Sequence, residues 1–297
     1  MKITYIEKLF RPETLQVINS ANEIIEEYQA DGLNLTLRQL YYQFVARGLI
    51  KNEQAEYKRI GSIVNDARLA GKMDWSAIED RTRNLIRNSH WTNPGEIIRA
   101  ASRGFRLDHW DGQLHYIEVW IEKEALIGVI QKICEGLDVN YFACKGYVSQ
   151  SEMWSASQRI LDQYDNGRNT IIVHLGDHDP SGIDMTRDVL DRLNLFVKQE
   201  IYDGIIVKRI ALNMDQILQY NPPSNPAKLS DSRSKDYISK HGNESWELDA
   251  LEPRVLRDLI ENTVSFYRDN NIYQVVLDKE KDYLGILKNV EDNWETL

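Results

Sequence analysis

Two aspartates stand one residue apart in "HLGDHDPSG", residues 174–182, directly behind an apolar run. Carboxylates held a few ångströms apart repel when both are ionised, so delivering both to one point implies a cation between them. The run "IIVH" is nearly continuous in apolar character, as for a strand covered on both faces. Asp177 and Asp179 then leave its carboxyl end, where open α/β sheets place their ligands. In extended chain their side chains point one way and that of His178 the other. Asp179 also suits a helix N-cap, with Pro180 at the first helical position. A third acid, Glu122, closes the strand "YIEVWI" at its carboxyl end. Glu122, Asp177 and Asp179 form a hard oxygen set, suited to Mg2+ or Mn2+ rather than zinc. Two other readings stand beside this one: helix-capping aspartates with a surface glutamate, or an aspartate-nucleophile phosphatase. The phosphatase pattern wants Thr or Val two residues after the second Asp, where this chain has Ser181.

These acids need elements to position them. Residues 12–30 read as an amphipathic helix ending at Asp31-Gly32. In "TLRQLYYQFVARGL", Thr36 is the N-cap and Gly48 the stop. Its apolar positions Leu37, Leu40, Tyr41, Phe44 and Val45 keep helical spacing. A further helix runs through "EYKRIGSIVNDARLAG", with Tyr57, Ile60, Val64 and Ala67 on one side, and "KMDWSAIEDRTR" follows. Short helices with basic outer faces suit a helix-turn-helix or winged-helix module. From about 90 to 112, "HWTNPGEII" and "DHWDG" carry turn signals and predict an irregular connection. Thereafter "LHYIEVWI", "VNYFAC", "TIIVHLG" and "GIIVKRIAL" alternate with three helical stretches, which predicts a parallel α/β sheet. "YNPPSNPAKLSDSRS" is a polar loop too long to be a bare connection, and the tail from Leu251 is mostly helical. The expected division is an N-terminal helix (1–33), a DNA-binding unit (34–90), a linker (91–112), an α/β domain (113–250) and a helical C-terminal extension (251–297).

At 297 residues, 42 % apolar and 28 % charged, the chain is ordinary for a globular protein. No run of about eighteen apolar residues would span a bilayer, and Glu7, Arg11 and Glu13 interrupt what a signal peptide would need. Cys134 and Cys144 form no CxxC pair, so neither a disulfide framework nor a cysteine zinc site is expected. These features predict a reduced, cytoplasmic protein. The net charge of −10 speaks at first against a nucleic-acid partner. Residues 34–112, however, hold 13 Lys and Arg against 9 Asp and Glu, a local +4 that leaves −14 for the rest. Such asymmetry fits a polyanion-binding front and an acidic back.

"WIEKEAL", "CKGYVSQ" and "HLGDHDPSGIDM", each behind a strand with helices between, resemble a Toprim domain: Glu after the first strand, DxD after the third. The form DxDPxG, with "EKE" and "KGY" in this order, resembles the A subunit of topoisomerase VI and its relatives. Those relatives include the meiotic double-strand-break protein and small stand-alone members from plasmids and viruses. The later "WELDALEP" resembles that family's acidic segment, with Glu247 and Asp249 in a supporting role. The resemblance covers roughly residues 34 to 255. It implies a winged-helix domain followed by a Toprim α/β domain and a helical extension.

The family cuts DNA with a tyrosine in a pattern like T-x-R-x-x-Y-Y, which "TLRQLYY" matches. Helical spacing separates the two tyrosines: Tyr41 falls in the apolar stripe, whereas Tyr42 falls off it. Tyr42 lies four residues after Arg38, so both are expected on one exposed face. The expected chemistry is attack of Tyr42 on a backbone phosphorus, releasing a deoxyribose hydroxyl. Glu122, Asp177 and Asp179 would hold the metal, and Glu124 would be an accessory acid or base. The resemblance implies that tyrosine and metal serving one cut come from different subunits, hence a homodimer making double-strand breaks. Double-stranded DNA would be gripped through phosphates, with Lys58, Arg59, Arg68, Lys72 and Lys145 as candidate contacts and a nucleoid association as the consequence. Each of these is equally an ordinary solvated charge. No G-x-x-x-x-G-K-[ST] loop is present, so ATP-driven strand passage would need a separate ATPase subunit. The stretch after "YYQF" resembles phage and bacterial stand-alone members more than the usual subunit. Two competing readings stay open: a Toprim nuclease using water, and a DNA-binding module with a vestigial metal site.

Overall fold

All four strands of the sheet place apolar residues on both faces, because helices cover both. In the computed structural model, which describes residues 2–78, 88–197 and 204–294, four parallel strands run in the order β2-β1-β3-β4. They are β1 (His115–Ile121), β2 (Asn140–Ala143), β3 (Asn169–Leu175) and β4 (Ile205–Ala211). Period-two alternation sends Ile117, Val119, Ile121, Ile171, Val173 and Leu175 into one core. There they meet α5 (Ile127–Leu137) and α10 (Pro253–Tyr267). Trp120 and Ile172 face the opposite way, onto α6 (Gln150–Asp165) and α7 (Pro180–Val197). The result is a helix–sheet–helix sandwich, the mixed α/β class expected, with a helical C-terminal region.

The N-terminal unit has its own core. Ile18, Ile24, Leu40, Phe44, Ile60 and Val64 interlock α1 (Pro12–Ala30), α2 (Leu37–Ala46) and α3 (Gln54–Leu69). α2 begins where expected, because Thr36 and Gln39 exchange the two hydrogen bonds of a capping box. It ends ahead of Gly48, whose φ of +67° suits glycine. The end of "KMDWSAIEDRTR" lies outside the described residues.

The irregular linker expected over 91–112 is corrected. Residues Pro94–Gly104 form α4, and Asn93 caps it by accepting the Glu96 amide at 3.1 Å. The Asn-Pro read as a turn is a helix start: N-cap followed by proline at N1. α4 packs along α11 (Asn270–Asn293), where Gly95 lies against Trp294 and Arg99 pairs with Glu291 at 2.9 Å. The region 213–252 is built of short pieces: α8 (Met214–Tyr220), α9 (Ser234–His241) and the ribbon β5 (Asn225–Pro226) with β6 (Glu244–Ser245). Among the described residues no helix is long and apolar enough to cross a membrane.

Candidate active site

Register explains why the acids meet. Ile121 of β1 pairs with Leu175 of β3, so the chain leaves both strands at one level. Glu122, one residue past β1, accepts the Asp177 amide on Oε2 at 2.8 Å. Asp177 accepts the Leu248 amide at 2.8 Å and an ion pair from Lys123 at 3.0 Å, both on Oδ1. Asp179 caps α7 as expected, accepting the Gly182 amide at 2.7 Å and the Ser181 hydroxyl at 2.8 Å. His178 turns away from the acids. Its ring meets the Tyr237 hydroxyl at 2.7 Å, and its backbone pairs with Trp246.

Burial, with the neighbouring Glu122 charge, holds the Asp177 carboxyl well above its ordinary range, although Lys123 pulls it down. Glu122 is likewise raised, chiefly by burial. Opposite them, Lys123 Nζ lies 2.7 Å from Glu247 and 2.8 Å from Asp249. Arg38 of α2 pairs with the same two acids, at 2.7 Å for Asp249. Burial alone would raise Glu247, but Lys123 and Arg38 outweigh it and hold the carboxyl at about 2. Glu247 and Asp249 thus join the centre, bound to cations rather than left to solvent.

Tyr42 is not on an exposed face. It is 3 % exposed, because the turn Leu248–Ala250 crosses α2 and packs Ala250 on the Tyr41–Tyr42 pair. Arg38 does lie beside it, 5.9 Å from the ring centroid. Burial raises the phenol to about 12, with Asp249 and Glu247 adding to the rise and Arg38 opposing it. Tyr41 is a core residue, as expected, with its hydroxyl on Asn52 at 2.9 Å. Arg38, Tyr42, Asp177, Asp179, Lys228 and Glu247 line one cleft of about 380 Å³. Lys228, from the long polar loop, reaches within 3.5 Å of Asp179.

Other expected positions are separate. Glu124 is not a further pleat of β1: the strand ends at Ile121, and Glu124 opens a 3-10 turn and pairs with Lys145 at 2.8 Å. Lys145 lines a different groove, along the edge strand β2. Lys58 and Lys72 are exposed at α3 and its exit, and exposed Arg59 pairs with Glu56 at 2.6 Å. Arg68 does not serve as a surface contact. It stacks 4.8 Å over Trp75 and donates to the Trp75 and Ile78 carbonyls, closing the turn after α3.

Two residues of the centre escaped the sequence reading. Lys123 sits inside the "EKE" already singled out, but its contacts join segments over a hundred residues apart. Arg209 of β4 lies under the aspartate loop, donating to the carbonyls of Gly176 at 2.9 Å, Asp177 at 2.6 Å and Gly182 at 2.9 Å, and to Thr186 at 3.0 Å. Burial lowers its pKa to about 10, against the pull of Glu122, Asp177 and Asp179. The available signal was a charge in a strand with helices packed on both sides of its sheet.

The donors are all carboxylate oxygens, the kind a hard divalent cation takes, and burial disfavours the charged form of both Glu122 and Asp177. As placed, their oxygens face amides, Lys123 and Lys228, and among the described residues no three His, Cys, Asp or Glu are arranged to hold a metal ion. No protein-family model matches the chain, and neither does any curated protein.

Proposed function

We propose that the protein is a DNA-cleaving enzyme of the topoisomerase VI A-subunit type: a tyrosine transesterase with a winged-helix unit over residues 34–90 and a Toprim unit over 113–250. The supporting observation is the shared cleft, lined by Tyr42 and Arg38 on one side and by Asp177 and Asp179 on the other. Tyr42 Oη attacks the phosphorus of a backbone phosphodiester. One new P–O bond forms to tyrosine, the bond to the deoxyribose oxygen breaks, and that oxygen takes up a proton. Arg38 favours the phenolate and can bind a phosphate oxygen. Glu122, Asp177 and Asp179 would hold Mg2+ or Mn2+, which when bound supplies charge stabilisation at the phosphate and the leaving oxygen. Arg209 keeps the aspartate loop in place through its carbonyls. Exposed Lys58, Arg59 and Lys72 would meet DNA phosphates, with little sequence preference and strong salt dependence. A homodimer making paired cuts, a separate ATPase subunit and a nucleoid location complete the proposal.

The burial of Tyr42, with its phenol raised to about 12, favours a second reading: hydrolysis by water at the same acids, without a covalent link. Supercoiled plasmid incubated with Mg2+ or Mn2+, quenched in detergent and run with and without protease, separates the two. Protein-linked linear DNA, absent in Tyr42→Phe and in Asp177→Ala, is the expected result. Cutting that persists in Tyr42→Phe and fails in Asp177→Ala would replace the transesterase with the nuclease. No cutting by the wild type would overturn both.

A further inference from the structure

We propose that His174 and Thr186 are positioning residues for the acidic centre, acting through Arg209 on the loop that carries Asp177 and Asp179. This rests on the reading of Glu122, Asp177 and Asp179 as metal ligands and concerns residues one and two steps behind them.

β3 is apolar from Ile171 to Val173 and again at Leu175, and His174 interrupts it at 1 % exposure. Its register partners are Trp120 of β1 and Arg209 of β4, and its side chain shares the face of Ile172, toward α7. There His174 Nδ1 meets the Thr186 hydroxyl at 2.9 Å, and the same hydroxyl accepts from Arg209 Nη1 at 3.0 Å. The donor inventory fixes the direction of both bonds. A guanidinium only donates, so the Thr186 oxygen accepts from Arg209 and its one proton goes to His174. Nδ1 is then the acceptor, and the imidazole is neutral with its proton on Nε2. Burial, with the Arg209 charge beside it, favours the same neutral form and lowers the group to about 3.

The Arg209 Nη1 that meets Thr186 also holds the Gly182 carbonyl at 2.9 Å. The hydroxyl therefore helps to set the plane of a fork whose Nη2 holds the carbonyls of Gly176 and Asp177. These groups meet in the space that Gly176 leaves. A Cβ there would stand 3.0 Å from Glu122 Oε2, 3.2 Å from Arg209 Nη1 and 3.3 Å from His174 Cε1. Among the described residues His174 Nε2 is buried without a partner, a cost that phenylalanine at this place would avoid. What histidine supplies here is the acceptor at Nδ1.

The test compares the full wild-type chain with His174→Phe, Thr186→Val, the double variant and Thr186→Ser, each checked for a cooperative thermal melt. Free Mn2+ during titration is read by electron paramagnetic resonance. Amide hydrogen exchange is read at Asp177 and Gly182, whose N–H groups donate to Glu122 and Asp179. His174→Phe and Thr186→Val should each weaken Mn2+ binding roughly tenfold, the lower end of what partners behind metal ligands contribute, and speed exchange at both amides. Because the residues act in one chain, the double variant should lose about the same tenfold, not about a hundredfold. Thr186→Ser keeps the hydroxyl and should match wild type. If His174→Phe does not melt cooperatively, the Thr186 pair carries the comparison. Losses that multiply in the double variant, a Ser variant as weak as Val, or unchanged binding and exchange in the Phe and Val variants would overturn the proposal. Wild type that binds no Mn2+ would defeat the metal reading instead, and the exchange rates would then decide whether His174 and Thr186 hold the loop.

Discussion

Arg209→Met gives the most direct test of how the aspartate loop is held. Arg209 donates to Thr186 and to the carbonyls of Gly176, Asp177, Gly182 and, at 3.2 Å, Leu212, and its Nε is shut off from solvent. A hydrogen bond from a charged group contributes roughly 1.5 kcal/mol net, so the four shorter ones would amount to about 6 kcal/mol. Methionine avoids the guanidinium's desolvation, which is several kcal/mol for an enclosed ion. The difference leaves a loss of about 2–4 kcal/mol. Arg209→Lys keeps the charge but presents one ammonium instead of a planar fork, so it should lose about half as much. Urea unfolding followed by tryptophan fluorescence reads this well, because Trp120 and Trp246 are buried in the α/β unit. A Met variant within about 0.5 kcal/mol of wild type, a span typical of surface substitutions, would show that the carbonyl clamp does not hold the loop. Equal losses for Met and Lys would show that charge plays no part in it.

Gly182→Ala should destabilise by about 1–3 kcal/mol. Its Cβ would press on the Asp177 carbonyl oxygen, with Asp177 C and N only 3.0 and 3.2 Å away. Gly136→Ala, on α5 with nothing nearby, should instead stabilise by about 0.5–1 kcal/mol, and paired thermal melts would show the opposite signs. Glu247, held at about 2 against an ordinary 4.5, contributes stability that is present above pH 4.5 and lost as pH falls toward 2. Glu247→Gln should flatten the pH dependence of unfolding in that window, and an unchanged slope would count against the Lys123 and Arg38 pairing.

Local patterns made the sheet and most helices legible. The strands read clearly because helices on both faces demand apolar residues at nearly every position, and Thr36 and Gly48 mark α2 by backbone chemistry alone. The meeting of Glu122 with Asp177 and Asp179 was legible for the same reason, since neighbouring parallel strands end at one level. Tyr42 shows where helical periodicity stops informing. Helical spacing places it off the apolar stripe of α2, and only a turn two hundred residues later covers it. Lys123, Arg38 and Arg209 illustrate the same limit, because a charge's partner across the fold leaves no periodic trace. The helix over 94–104 failed for a local reason: Asn-Pro opens helices as well as turns, and its apolar face looks outward until α11 is known.

That last pairing bears on how the chain acquires its structure during synthesis. Few residues of α4 are buried, its contacts are with α11, and Arg99 finds Glu291 192 positions later. Helices this short gain most of their stability from packing, so α4 leaves the ribosome long before anything exists to hold it. The α/β sheet between them can assemble first. The two helices then pair as a late step, and residues 94–104 stay open to proteases on every nascent chain until α11 arrives.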